Sequence, residues 1–424
     1  MGSVSRRVFL LSTASTPLVH ALGRRARAAA ETVIVGVMGT GGRGTQLARG
    51  FQGQAGCTVA YVCDADRNRV EQAAAAVERV SNTRPKVVTD FRRILDDKSV
   101  DALVIAAPDH WHAPATILAC KAGKHVYVEK PCSHNPWEGE MMVAAARKYN
   151  RKVQMGNQRR SWPKVQEAMQ ALREGIIGRV YYSRGWYANR RGSIGRGKIA
   201  DPPDYLDYEL WQGPAPRRPY RTNVIHYNWH WFWHWGTGEI GNNGVHAIDL
   251  CRWGLQVDFP VHVTSAGGRY RFDDDQETPD THVASYDFEG EKSIAWEGLS
   301  CNPFGIEHTG FGASFHGETG TLVITGAGYK VYDLRNRLIK EETGPGGDAT
   351  HIANFLNAIR NDEPLNSEIA EGHKSTLLCH LGNIAYRVQR DLKCDPTNGH
   401  VVDDKEAMSY WKREYEPGWE PTLE

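Results

Sequence analysis

The chain has 424 residues, a formal net charge of +1 and 24% charged residues. This length exceeds one ordinary hydrophobic core and predicts two domains. The balanced charge gives no reason to expect nucleic-acid or membrane-surface binding, and no apolar run has the roughly 20 residues that a membrane-spanning helix needs.

The first thirty residues have the pattern of an export signal. Residues 5–10 (SRRVFL) form a twin-arginine motif, which a weakly apolar stretch and the small-residue run 28–30 (AAA) follow. Motif, apolar stretch and alanines occur in the order typical of a cleaved signal, although a basic tail is the alternative. We therefore expect residues 1–30 to direct twin-arginine export and the protein to be periplasmic.

A glycine-rich turn follows the first predicted strand, residues 32–37, and leads into a helix. The turn consists of Gly39, Thr40, Gly41, Gly42, Arg43 and Gly44. G-x-G-x-x-G between a strand and a helix is typical of dinucleotide binding, because its glycines permit a tight turn, close approach of a pyrophosphate and close helix packing. The helix N-terminus then presents unpaired N–H groups to the phosphates.

The second predicted strand, residues 58–63, ends in an acid. Asp64 lies twenty positions after Gly44, where a carboxylate can accept hydrogen bonds from a ribose 2′-hydroxyl and repel a 2′-phosphate. The alternative is a helix N-cap at Asp64. Arg67 and Arg69 follow closely, so we predict bound NAD, with NADP less favoured.

Strands and helices continue to alternate as far as residue 155, which predicts a doubly wound parallel sheet over residues 31–155. The predicted elements are strands 86–89, 102–106, 125–128 and 152–155 and helices 68–80, 114–122 and 136–149. Right-handed crossovers place the strand-end residues Pro108, His112, Glu129 and Lys130 at the same edge as the glycine turn. Lys130 can therefore point at a bound ligand, although a solvated charged pair before Pro131 is the alternative.

These motifs resemble the Gfo/Idh/MocA oxidoreductases, the family of glucose–fructose oxidoreductase and inositol dehydrogenase. The resemblance is carried by residues 39–44, Pro108 with His112, residues 123–131 (GKHVYVEKP), and residues 244–246 (GVH) with Asp249. It implies an α/β protein in which residues 156–424 form a second domain on a large, open, mostly antiparallel sheet. It also implies that Lys130 lies between nicotinamide and substrate.

Two segments early in the second domain are further site candidates. By resemblance, residues 155–160 pass the nicotinamide, so Gln158 is expected to contact the cofactor and Arg160 the substrate. A helix is predicted at 163–174 and a strand at 178–188. Residues 189–198 contain Arg190, Arg191, Arg196 and Lys198, which predicts a solvated loop or, alternatively, a lid that offers a guanidinium to an anionic sugar.

Residues 226–235 carry a tryptophan at every second position. In an extended segment, Trp229, Trp231, Trp233 and Trp235 would share one face. Indole faces stack on pyranose rings, so we expect Trp229 and Trp231 to contact a sugar, although a packed core or a subunit interface is the alternative.

Residues 241–253 have the apolar spacing of a helix. Asn242 and His246 would share a face, and Asp249 could orient the His246 imidazole. The resembled family commonly has an aspartate at position 242. Because an amide can hold a hydroxyl but cannot take its proton, proton transfer is expected to fall to His246 and Lys130.

The remaining chain predicts an antiparallel sheet with two helices. Strands are expected at 261–269, 282–288, 293–299, 313–316 and 321–325, a surface connection at 341–348, and helices at 351–360 and 369–389. An open sheet face is usually buried by another subunit, so we expect a homodimer or homotetramer. The eight cysteines form no C-x-x-C pair, and no metal site is indicated.

The motifs together predict an oxidoreductase that transfers hydride between a tightly held NAD(P) and a sugar or glycoside hydroxyl. Lys130 or His246 would take the hydroxyl proton. Export favours a retained cofactor, and hence also a redox-neutral NAD-dependent glycosidase. A non-catalytic protein that retains NAD and binds saccharide is a further alternative.

Overall fold

The computed structural model of the protein describes residues 32–424. The twin-arginine motif and the predicted signal lie outside the described residues. Within residues 32–424 no helix is both long enough and apolar enough to cross a membrane.

The first sheet has six parallel strands in the order β3-β2-β1-β4-β5-β6. The strands are β1 (Val33–Met38), β2 (Cys57–Cys63), β3 (Lys86–Val88), β4 (Ala102–Ile105), β5 (His125–Val128) and β6 (Val153–Met155). Their central members are almost continuously apolar and buried, because helices cover both faces of the sheet. The predicted doubly wound Rossmann sheet is thus confirmed.

Among the described residues, five helices flank this sheet, and one of them begins earlier than expected. They are α1 (Gly42–Gln52), α2 (Arg67–Ser81), α3 (Arg92–Asp96), α4 (Asp109–Lys121) and α5 (Pro136–Lys148). The prediction that α4 begins at Pro114 is wrong, because burial of 11 of its 13 residues outweighs the one hydrogen bond that Pro114 cannot donate. Asp109 and His112 therefore lie in the first turn of a helix rather than in a loop.

The second sheet has nine strands in the order β14-β13-β12-β11-β7-β10-β9-β8-β15. They are β7 (Val180–Ala188), β8 (His262–Gly268), β9 (Thr281–Phe288), β10 (Lys292–Leu299), β11 (Phe311–Gly317), β12 (Gly320–Thr325), β13 (Gly328–Asp333), β14 (Leu338–Glu342) and β15 (Leu392–Lys393). Only the β7–β10 pair is parallel among these described strands. The prediction that a surface connection begins at residue 341 is wrong, because Glu341 and Glu342 belong to β14 and pair with β13.

The described residues after 157 form six α-helices: α6 (Pro163–Arg173), α7 (Tyr208–Gln212), α8 (Val245–Leu255), α9 (Ala349–Asn361), α10 (Ile369–Val388) and α11 (Lys405–Ser409). Helix α8 packs so closely on β7 that a Cβ at Gly185 would lie 2.9 Å from the Ala247 side chain. Helix α9 instead returns to the first sheet. Its Ile352, Phe355 and Leu356 share a buried cluster with Val35 of β1.

Candidate functional site

A cavity of about 600 Å³ lies between the two domains. Its volume is within the range of small-molecule sites. The predicted site residues that line it are Gly39, Gly41, Gly42, Arg43, Asp64, Pro108, His112, Glu129, Lys130, Trp229 and Asn242. Those that do not line it are Thr40, Gly44, Gln158, Arg160, Trp231, His246 and Asp249.

The glycine turn has the backbone geometry that a pyrophosphate site requires. Gly39 has φ +82°, and a Cβ on it would lie 2.4 Å from the Ala107 nitrogen. A Cβ on Gly44 would lie 1.7 Å from the Gly39 carbonyl oxygen. No side chain caps α1 at Gly41, so its first-turn N–H groups remain available to an anion. These residues fit a dinucleotide.

Asp64 faces the cavity but is also bonded within the turn. Its Oδ2 accepts from the Thr40 N–H at 2.6 Å and the Thr40 hydroxyl at 3.1 Å. Burial raises its pKa. The N-cap of α2 is Asp66, which accepts from the N–H groups of Asn68 and Arg69, so the N-cap alternative for Asp64 is wrong.

Arg43 joins the glycine turn to two distant acids. Its Nε donates to Glu129 at 2.7 Å, and its two terminal nitrogens donate to the carboxylate of Asp348 at 2.7 and 2.9 Å. Although burial acts to lower it, Glu129 and Asp348 raise the pKa of Arg43 above its ordinary value. The turn, the end of β5 and the start of α9 are therefore held together by one guanidinium.

Lys130 extends from the end of β5 to the second domain. Its Nζ donates to the Asn242 carbonyl at 2.7 Å and to the Asn242 side-chain oxygen at 3.2 Å. Burial lowers the pKa of Lys130, while Glu129 opposes that shift. An amine with a lowered pKa gives up its proton more readily than a solvent-exposed lysine does.

Asp249 does not orient His246, so that prediction is wrong. A π-helical turn (Ile240–Gly244) precedes α8, and Asp249 of α8 faces Arg160 and Ser375. The Arg160 Nε donates to both Asp249 oxygens at 3.0 and 2.8 Å, and the Ser375 hydroxyl donates at 2.7 Å. Arg160 and Asp249 are thus a buried pair outside the cavity lining.

His246 lies in the first turn of α8, where it is buried and does not line the cavity. Its Nδ1 has no hydrogen-bond partner among residues 32–424. Burial, together with nearby Arg159, holds its pKa well below the ordinary value. The imidazole is therefore neutral, and its predicted catalytic role remains a prediction.

The four alternating tryptophans do not share a face. Residues Asn228–Trp231 form a 3-10 turn, and the following residues turn again, so the extended segment was predicted wrongly. Trp229 lines the cavity and stacks on His230 with ring centroids 3.6 Å apart. Trp231 lies against the Arg191 guanidinium, whereas Trp235 packs on Trp211.

Arg191 is the charged residue of the 189–198 segment that lines the cavity, and its charge is already paired. Its Nε and Nη2 donate to the buried Glu239 at 2.6 and 3.2 Å, and its Nη1 donates to the Tyr227 hydroxyl at 2.8 Å. The loop beyond it is hydrogen-bonded to Asp274 and Asp275. The guanidinium is therefore compensated, which disfavours its use for an anionic sugar.

Two cavity residues were missed as site candidates although each lies in a stretch that the sequence had singled out. Asp109 follows Pro108 and accepts from the Thr237 hydroxyl at 2.7 Å; burial raises its pKa to about 7. His230 lies between two of the tryptophans, and burial lowers its pKa to about 3. Its Nδ1 is 2.6 Å from the Tyr227 carbonyl, so the neutral ring donates from Nδ1 and keeps its lone pair on Nε2.

The second domain covers the wall of the cavity next to Asp64. The Arg67 N–H donates to the Tyr205 carbonyl, and the Asp207 N–H donates to the Ala65 carbonyl, both at 2.9 Å. His226 contacts the Asp66 carboxylate at 2.8 Å. Leu210, Trp211 and His226 also line the cavity. Residues 205–226 therefore cover this side of the cavity, and we call them the roof.

Family models match both halves of the molecule. Residues 33–157 match the NAD-binding Rossmann fold of an oxidoreductase family, and residues 186–420 match its C-terminal alpha/beta domain. The chain belongs to the Gfo/Idh/MocA oxidoreductase family. Its Rossmann domain is therefore an NAD-binding domain, as the glycine turn predicts.

The curated proteins that are similar to this chain include both a protein named as a glycosyl hydrolase and one named as a dehydrogenase. A glycosyl hydrolase family 109 protein of Saccharopolyspora erythraea is 33% identical over 165 residues, 37% of this chain and 35% of that protein. Levoglucosan dehydrogenase of Pseudarthrobacter phenanthrenivorans is 29% identical over 165 residues, 39% of this chain and 35% of that protein. The alignments thus span about a third of these curated relatives. A solved levoglucosan dehydrogenase with NADH and levoglucosan has a TM-score of 0.66 at 18% identity, over 85% of this chain and 99% of that one, which shows the shared fold.

Proposed function

We propose that the protein transfers hydride between a tightly held NAD and a hydroxyl of a sugar or glycoside. The observation that carries the proposal is the position of Lys130, whose amine lies in the interdomain cavity against Asn242 with a lowered pKa. Relatives named levoglucosan dehydrogenase and inositol 2-dehydrogenase support a polyol or sugar substrate.

The cavity residues supply the remaining parts of such a reaction. Bound NAD would supply the hydride acceptor, held by the glycine turn. Trp229 and Tyr227 offer aromatic faces to a sugar ring, and the Asn242 amide can bind a hydroxyl. The neutral amine of Lys130 would take the proton of the reacting hydroxyl. Since Glu239 compensates Arg191, a neutral sugar suits this cavity better than an acidic one.

Retention of the cofactor is supported by the roof over the Asp64 wall. The contacts of residues 205–207 with residues 65–67 would hold Leu210 and Trp211 over a bound nucleotide and slow its release. Retention also suits a periplasmic protein, because free NAD is scarce outside the cytoplasm. Periplasmic export, preference for NAD over NADP and assembly into a homodimer or homotetramer are parts of this proposal.

The test begins with the nucleotide content of the purified protein, measured by mass spectrometry, and continues with a sugar panel monitored at the reduced-nicotinamide absorbance. Lys130→Met should leave the nucleotide content unchanged and lower turnover by about 10²–10⁴-fold, the range for loss of a proton-transfer group. Lys198→Met, which changes an exposed lysine outside the cavity, is the control. Equal turnover of Lys130→Met and the control would refute the assignment.

A redox-neutral glycosidase is the second candidate. The relative named a glycosyl hydrolase family 109 protein supports it, and the amide at Asn242 is compatible with either route. Oxidation beside C2 would acidify the C2 proton, the C1 substituent would leave, water would add, and the two electrons would return to the sugar. An aryl glycoside separates the candidates, because this route releases phenol without net NADH and the dehydrogenase route does not.

A further inference from the structure

His230 offers a ring nitrogen to the interdomain cavity. The residue lines the cavity, and its Nδ1 lies 2.6 Å from the Tyr227 carbonyl oxygen. A carbonyl oxygen only accepts hydrogen bonds, so Nδ1 carries the ring proton and donates it. Among residues 32–424 the other nitrogen, Nε2, has no hydrogen-bond partner. In the neutral ring Nε2 is therefore an acceptor that a bound molecule can satisfy.

The His230 ring is held in one orientation. It stacks on the Trp229 indole with ring centroids 3.6 Å apart and an angle of 19° between the two planes. The Tyr227 ring lies against it with centroids 4.7 Å apart. Rotation of the imidazole would break the Nδ1 bond as well as these ring contacts. An acceptor that is already oriented loses little entropy when a ligand binds to it.

Hydrogen bonds also fix the neighbourhood of this ring relative to the Lys130 amine. Arg191 donates to the Tyr227 hydroxyl at 2.8 Å and to Glu239 at 2.6 Å. Glu239 directly precedes the π-helical turn in which the Asn242 carbonyl accepts from Lys130 at 2.7 Å. A molecule bound in this part of the cavity would therefore meet two groups whose relative position the protein sets.

The ring is suited to hold a hydroxyl and not to take its proton. Burial lowers the pKa of His230 to about 3, and the charges of Lys130 and Arg191 add to this lowering, although the bond to the Tyr227 carbonyl opposes it. A base with such a low pKa keeps a proton poorly, yet its lone pair still accepts a hydrogen bond. Proton transfer therefore stays with Lys130.

We propose that His230 is a specificity-determining residue whose Nε2 accepts a hydrogen bond from a substrate hydroxyl other than the one that is oxidised. The inference rests on the proposed function and narrows its substrate class. The substrate would be a pyranose or polyol with one hydroxyl at Lys130 and a second, unmodified hydroxyl at His230. A deoxygenated or alkylated carbon at the second position would leave Nε2 without a donor and be disfavoured.

A thermodynamic cycle between His230 and the sugar tests the proposal. The pyranose of the sugar panel with the highest kcat/KM is compared with its singly deoxygenated analogues that keep the reacting hydroxyl. In wild type at least one analogue should lose about 3–10-fold in kcat/KM, the value of a neutral hydrogen bond. His230→Asn keeps a donor at the position of Nδ1 but has no atom at Nε2. It should lose the same factor with the parent sugar and nothing more with that analogue.

A second variant and a binding measurement separate this contact from a structural effect. His230→Gln places an amide oxygen near the position of Nε2 and should restore most of the lost kcat/KM. His308→Asn makes the same change as His230→Asn at an exposed histidine outside the cavity and is the control. Titration calorimetry on the NADH-loaded proteins, which cannot oxidise the sugar, should give the same cycle in Kd. Nucleotide content should be equal in all variants.

The outcomes distinguish this inference from the function on which it rests. If no sugar reduces the bound NAD of the wild-type protein, the proposed function fails and the inference fails with it. If a sugar is oxidised but every analogue loses the same factor in wild type and in His230→Asn, the role of His230 alone is overturned. A fall of about 10²-fold in kcat of His230→Asn at unchanged KM would also overturn it, since the ring would then act in proton transfer.

Discussion

The buried pair Arg160–Asp249 gives the sharpest prediction about stability. Only 6% of the Arg160 side chain and 2% of the Asp249 side chain are exposed, and the nearest other carboxylate to Arg160 is Glu371 at 3.7 Å. Asp249→Asn therefore leaves a buried guanidinium without its main counter-ion while creating no cavity. Breaking a buried pair in this way costs about 3–5 kcal/mol, and the amide oxygen that remains favours the lower end, ~3 kcal/mol.

Urea unfolding followed by tryptophan fluorescence measures this loss. At an m-value of about 3 kcal/mol per molar for a large chain, the midpoint should fall by about 1 M. Ser375→Ala removes a donor to Asp249 and the acceptor of the Arg252 Nε, and it should lower the midpoint by about 0.5–1 M, since a hydrogen bond to a charged group is worth about 1.5–3 kcal/mol. The double variant Arg160→Met with Asp249→Leu should regain much of the loss, because no unpaired charge remains.

A different result would restore the original role of Asp249. If Asp249→Asn left the urea midpoint unchanged but altered the pH dependence of turnover, Asp249 would be acting on His246 rather than on Arg160. The distances of 3.0 and 2.8 Å from the Arg160 Nε would then not describe the working protein.

Two further predictions concern nucleotide binding and acid stability. Gly44→Ala should abolish nucleotide binding, because its Cβ would lie 1.7 Å from the Gly39 carbonyl oxygen. In the control Gly42→Ala, the new Cβ meets nothing within 4 Å, so mass spectrometry should still find the nucleotide. If both variants retain the nucleotide, close packing at Gly44 is not required for binding. Although burial acts to raise it, Arg252 holds the pKa of Glu371 at about 2, below its usual 4.5. The Arg252–Glu371 pair therefore stabilises the fold fully above pH 4.5 and progressively less as pH falls toward 2. Glu371→Gln should reduce the fall of Tm with decreasing pH between 4.5 and 2. An unchanged dependence of Tm on pH would show that this pair does not stabilise the fold.

The first domain could be predicted closely because its signals are local. The β-branched runs, the glycine turn at 39–44 and the Glu129-Lys130-Pro131 triplet each require only neighbouring residues, and the structure places them as expected. The start of α4 could not be found in this way, since Pro114 argues against a helix locally and tertiary burial overrides it. Asp109 was missed for the same reason.

The second domain was less predictable because its side chains depend on distant partners. Alternation in residues 226–235 indicated an extended segment, but Trp231 and Trp235 pack on different neighbours and the chain turns between them. Likewise, the three-residue spacing of His246 and Asp249 predicted that their side chains are in contact. The structure instead pairs Asp249 with Arg160, 89 positions earlier in the chain. No local pattern contains that information.

Helix α9 has a consequence for the order of events during synthesis. Its Ile352, Phe355 and Leu356 complete the apolar layer on β1, and Asp348 before it holds Arg43 of the glycine turn. When only residues 32–157 have emerged from the ribosome, the sheet lacks the part of its apolar layer that α9 supplies, and Arg43 has Glu129 but not Asp348 as a partner. The full set of contacts that hold the glycine turn and β1 is therefore complete only after residue 361 has emerged.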